Sequence, residues 1–90
     1  MKRLRVIFHG YVQGIGFRYT TERLSRQFCV TGYVRNLMDG TVEVEAEGEE
    51  KELQDFLQAI RQSPMGPQIL EVDAKWGEAT GQWHNFTVKV

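Results

Sequence analysis

The sequence predicts an α/β sandwich of the α+β kind, with two helices on one face of an antiparallel sheet. Three observations predict it. Apolar residues alternate at period two in several short segments, and they recur every three or four residues in two longer ones. The patterns follow one another as strand, helix, strand, strand, helix, strand, with a further short strand pattern at the end.

The first strand is read over 4–12, where Leu4, Val6 and Phe8 alternate with Arg3, Arg5 and Ile7. That suits burial mainly on one face, with Ile7 the exception. The period then changes. Phe17, Thr21, Leu24 and Phe28 fall at spacings of four, three and four, on one side of a helix over 18–28. β-Branched and aromatic residues over 30–36 give the second strand, Asp39-Gly40 a turn, and 41–47 the third strand. Leu53, Phe56, Leu57 and Ile60 form the stripe of a helix over 50–62, which Ser63-Pro64-Met65-Gly66-Pro67 stops. Leu70, Val72, Ala74 and Trp76 alternate with Glu71, Asp73 and Lys75 over 69–77. Beyond Thr80-Gly81-Gln82, Phe86, Val88 and Val90 alternate with Thr87 and Lys89 over 84–89. The β-α-β-β-α-β order is the ferredoxin-like sandwich. Residues 1–90 form one domain, large enough to bury roughly two thirds of its unfolded surface.

Composition narrows the class. No apolar run reaches spanning length, and Met1-Lys2-Arg3-Leu4-Arg5 leads into an alternating strand without the apolar core of a secretory leader. A soluble, cytoplasmic protein is expected, with no membrane partner and a monomer as the default. A single cysteine, Cys29, excludes an intramolecular disulfide and fits a reducing compartment. With His9 and His84 far apart, no metal cluster is expected and both read as strand residues. Charge is uneven: residues 1–35 hold seven Lys or Arg against Glu22, while residues 39–73 hold ten acids against Lys51 and Arg61. The basic segment would help draw in an anion.

That segment contains Gly10-Tyr11-Val12-Gln13-Gly14-Ile15-Gly16-Phe17-Arg18, placed where a strand feeds a helix. Glycines let the backbone turn with positive φ and admit a ligand closely, and the first N–H groups of a helix favour a phosphate. A cation is unfavourable at a helix N-terminus, so Arg18 is best explained by an anion beside it, gripped through the guanidinium fork. The Walker loop is excluded because no glycine precedes Lys-Ser or Lys-Thr, and the dinucleotide fingerprint because Tyr19 stands where its third glycine belongs. Cys29 to Arg35 matches the C-x5-R spacing of cysteine-dependent phosphatases. Its intervening residues read as a strand, however, whose N–H groups are committed to pairing.

A second segment, Gly32 to Gly48, reads as strand, turn, strand, with Asn36 at the end of the incoming strand. Together the segments resemble the acylphosphatase family, whose signatures have the forms G-x-V-Q-G-[VI]-x-F-R and G-[FYW]-[AVC]-[KRQAM]-N-x(3)-G-x-V-x(5)-G. They match at every fixed position and cover 26 of the 90 residues. The resemblance implies hydrolysis of an acyl phosphate to carboxylate and inorganic phosphate, without metal or cofactor. It places the phosphate cradle on the backbone of Gln13, Gly14, Ile15, Gly16 and Phe17, the phosphate-binding guanidinium on Arg18 and the water-positioning amide on Asn36. Leu37 departs from the hydroxyl residue that many members carry after the asparagine.

The chemistry needs little more. A carboxylate leaves readily, and phosphoryl transfer is governed by alignment and by charge on three equatorial oxygens. Asn36 is no base at neutral pH, so its part would be to orient water. The competing class is a binding module. An RNA-recognition sheet needs aromatic and basic residues where Thr41, Glu43, Glu45 and Glu47 stand, and carboxylates there repel nucleic acid. A metal carrier needs a Cys-x-x-Cys loop, which the chain lacks. A non-catalytic phosphate or acyl-phosphate sensor would share the cradle, and Asn36 is what distinguishes an enzyme from it.

Overall fold

The computed structural model describes residues 1–14 and 16–90. The chain runs β1 (Lys2–Gly10), α1 (Phe17–Ser25), β2 (Val30–Asn36), β3 (Val42–Gly48), α2 (Glu50–Arg61), a single 3₁₀ turn (Gly66–Gln68), β4 (Ile69–Glu78) and β5 (Phe86–Val88). The sheet order is β4-β1-β3-β2-β5. The first four strands pair antiparallel, as expected for the β-α-β-β-α-β pattern. The sheet is nonetheless mixed, because β5 joins the β2 edge in parallel, Gly32 opposite Phe86.

Alternation decides the two faces. Leu4, Val6 and Phe8 of β1 lie beside Ala46, Val44 and Val42 of β3, and all six are buried. Phe17 from α1 and Leu53, Phe56 and Ile60 from α2 close over them. The spacing of Phe56 and Ile60, one helical turn apart, sets this apolar face of α2 against the sheet.

The opposite face carries charge. Glu43 is 2 % exposed, with Arg5 Nε at 2.7 Å, Arg35 Nε at 2.6 Å and the Tyr33 hydroxyl at 3.1 Å. Burial works against the Glu43 carboxylate, but the hydrogen bonds from Arg35, Arg5 and Tyr33 prevail and hold its pKa below the ordinary value. Burial and the nearby Glu45 and Glu43 push the Tyr33 phenol upward. Glu47 accepts from the Thr80 N–H and hydroxyl and from the Gly81 N–H, which folds the β4–β5 connection onto this face.

Several boundaries differ from the sequence expectation. The first strand is Lys2–Gly10, not 4–12, because Gly10 takes φ 129° and the chain leaves the sheet. The first helix stops at Ser25, not 28: Arg26, Gln27 and Phe28 donate three residues back, so the last turn tightens and ends. The last strand is three residues long. Leu70, expected to alternate inward, is exposed, since β4 is an edge strand and its register shifts opposite His9 and Gly10.

Candidate active site

The connection from β1 to α1 is anchored at its start, where the Tyr11 N–H donates to the Gln68 carbonyl at 2.9 Å. Gly14 and Gly16 take φ 79° and 80°, and a Cβ added at either would meet nothing within 4 Å. Backbone conformation, not crowding, therefore calls for glycine here. Gly16 is the N-cap of α1, with no side-chain cap and no acid in the first turn. The first helical bond is from the Thr20 N–H to the Gly16 carbonyl, at 3.0 Å. The N–H groups of Phe17, Arg18 and Tyr19 precede it and have no acceptor within the helix. They sit at the positive end of the helix dipole.

Phe17 packs its ring 5.2 Å from that of Phe8 and so seats the start of α1 on β1. The next residue, Arg18, faces a cleft of about 230 Å³ lined by Val12, Gly14, Gly16, Phe17, Arg18, Tyr19 and Asn36. Among the described residues no carboxylate pairs with Arg18. Arg5 and Arg35, by contrast, are both held by Glu43. Asn36 is the last residue of β2, opposite Val42, in the same alternating row as Val30 and Val34. Its amide thus meets the cleft from the sheet, and Arg18 meets it from the helix. The described lining contains no carboxylate, histidine or cysteine to serve as a base.

Of the residues singled out in the sequence, Gly14, Gly16, Phe17, Arg18 and Asn36 come together here. Ile15 lies outside the described residues. The Gln13 side chain is not part of the described cleft lining. Its side-chain Nε2 donates instead to the carbonyls of Leu37 and Thr41, both at 2.8 Å, and braces the loop against the β2–β3 turn. Sequence reasoning missed this brace, as it missed Val12 and Tyr19 in the lining. A signal was present, since a residue acting through its main chain alone has no use for a side-chain amide. Within the turn, Asp39 Oδ1 accepts from the Thr41 N–H at 3.0 Å and hydroxyl at 2.6 Å, which holds the Asp39 carboxyl below its ordinary pKa.

The C-x5-R spacing makes no phosphate cradle. Cys29 is exposed, its N–H donates to Glu52 Oε1 at 2.8 Å, and the residues up to Arg35 are β-strand. His9 has neighbours that its sequence position does not reveal. The β1–β4 register sets it beside Glu71 and near Asp73, with ligand atoms within 4.8 Å of one another, although no metal cluster was expected from the sequence. His9 Nε2 lies 3.0 Å from Asp73 Oδ2 on the sheet face away from the helices, and the cleft does not include this group.

The family model described as Acylphosphatase matches residues 4–88. A protein named acylphosphatase from Salinibacter ruber is 39% identical over 88 residues, covering 98% of this chain and 93% of its own. Another from Methanospirillum hungatei is 40% identical over 90 residues, covering 99% and 98%. The crystal structure of acylphosphatase from Bacillus subtilis superposes with a TM-score of 0.91 at 33% identity, covering all of both chains.

Proposed function

The chain belongs to the acylphosphatase family, and we propose how its cleft carries out that family's hydrolysis. It is a hydrolase that cleaves the carboxyl–phosphate bond of an acyl phosphate to carboxylate and inorganic phosphate. In our reading Arg18 and the main-chain N–H groups of Gln13, Gly14, Ile15, Gly16 and Phe17 bind the phosphate, and Asn36 aims the attacking water. One observation carries this assignment: an arginine with no carboxylate partner among the described residues shares a cleft with a neutral amide at an uncapped helix N-terminus.

Each part answers a need of the reaction. The guanidinium and the N–H groups oppose charge that grows on the equatorial oxygens, and each preorganised donor of this kind is worth on the order of 10² to 10³ in rate. The Asn36 amide can accept from water through its carbonyl oxygen and fix the oxygen lone pair toward phosphorus. The water's proton passes to a substrate phosphate oxygen or to solvent. Because the leaving carboxylate is already a weak base, no strong acid is required. The charge is met by Arg18 and the backbone, so the reaction calls for neither metal nor cofactor.

No helix among the described residues is long and apolar enough to cross a membrane. The reading extends to a cytoplasmic monomer in which residues 1–90 act as one domain. The free, exposed Cys29 thiol supports a reducing compartment. The direct test is hydrolysis of benzoyl phosphate in excess chelator. Turnover unaffected by chelation is expected; turnover abolished by the chelator and restored by a divalent metal would contradict the reading.

A further inference from the structure

The phosphate group accounts for Arg18, Asn36 and the N–H donors, which leaves Val12, Phe17 and Tyr19 to form the rest of the cleft wall. Val12 and Phe17 are 0% and 1% exposed and give their surface to the core. Tyr19 is 64% exposed, so its ring stands at the mouth. Arg18 Cζ lies 5.9 Å from the centroid of that ring, a cation–π contact that keeps the aromatic surface beside the phosphate-binding cation. In an acyl phosphate held at Arg18, the carbonyl carbon is one bridging oxygen from phosphorus. The acyl group therefore leaves the cleft within reach of Tyr19.

Charge narrows the class further. Arg18 is the one charged side chain in the described lining, and the phosphate uses it. A second anionic group on the acyl chain would find no second cation in the described lining.

Resting on the site reading above, we propose that Tyr19 is the platform for the acyl group and that the enzyme favours aryl and other apolar acyl phosphates over those bearing a second anion. Stacking on the ring raises kcat/KM for an aryl substrate by roughly 3- to 10-fold, the size of an aromatic pair contact.

The experiment compares wild type, Tyr19→Ala and Tyr19→Phe on benzoyl, acetyl, butyryl and succinyl phosphates, with inorganic phosphate as inhibitor. The benzoyl-to-acetyl ratio of kcat/KM should fall roughly 3- to 10-fold in Tyr19→Ala and hold in Tyr19→Phe, with phosphate inhibition alike in all three. Wild type should favour butyryl over the four-carbon dianionic succinyl substrate. A ratio unchanged by Tyr19→Ala, or succinyl phosphate used as well as butyryl, overturns the platform while leaving the phosphate site standing. No turnover of any of the four by wild type overturns both.

Discussion

The side-chain amide of Gln13 donates to the main-chain carbonyl of Leu37 at 2.8 Å, and to that of Thr41 at the same distance. One side chain thus ties the loop before Arg18 to the turn after Asn36. The link uses the carbonyl of residue 37 and is indifferent to its side chain. Leucine in place of a hydroxyl residue therefore leaves the brace intact.

Gln13→Ala should cost about 1 kcal/mol of stability, since each carbonyl keeps another donor, Gly40 N–H at 3.3 Å and Leu37 N–H at 2.9 Å. Turnover should suffer more, on the order of 10-fold in kcat, because the relative placement of Arg18 and Asn36 loosens. Gln13→Glu, which sets a carboxylate against two carbonyls, should be worse on both counts. Thermal melts beside steady-state kinetics check both effects.

Much of this was legible in the sequence, for reasons that differ by residue. The strands and helices follow from rows such as Leu4, Val6 and Phe8, whose period states which face is buried. Arg18 stood out because a cation at a helix start needs a reason. Long-range pairing was not legible: the parallel seat of β5 on β2 and the meeting of His9 with Asp73 depend on register across the sheet. The glycines of the two segments serve differently. Gly16 is required by its φ alone, whereas at Gly32, also at positive φ, a Cβ would fall 1.8 Å from the Glu45 carbonyl oxygen, so β3 itself excludes it.

That contrast is testable. Gly16→Ala should fold with a loss of about 1 to 2 kcal/mol, the strain of a left-handed alanine, and with weakened phosphate inhibition. Gly32→Ala should fail to yield folded protein, as judged by circular dichroism and expression.

Glu43 makes stability depend on pH. Its folded pKa lies below its ordinary value of 4.5, so its contribution is complete above 4.5 and is lost as pH falls through the folded pKa. Tm should drop across that acidic window. Glu43→Gln should cost about 2 kcal/mol at neutral pH, less than for a fully buried pair because Arg5 and Arg35 remain partly solvated. It should also flatten the acidic fall, as melts from pH 3 to 7 would show.

Thr21 is 0% exposed, and among the described residues its Oγ1 has no hydrogen-bond partner. Thr21→Val keeps the shape and removes the stranded hydroxyl. Stability should rise by about 1 kcal/mol, or roughly 4 to 8 °C in Tm for a chain of this size.

The division of labour between Arg18 and Asn36 is tested most directly by measuring kcat for benzoyl phosphate and inhibition by inorganic phosphate in Asn36→Ala, with Arg18→Ala alongside. In Asn36→Ala, kcat should fall on the order of 10²- to 10³-fold while phosphate inhibition stays near wild type; Arg18→Ala should lose both. Parallel loss of turnover and phosphate binding in Asn36→Ala, or turnover undiminished, would contradict the assignment of Asn36 to the water.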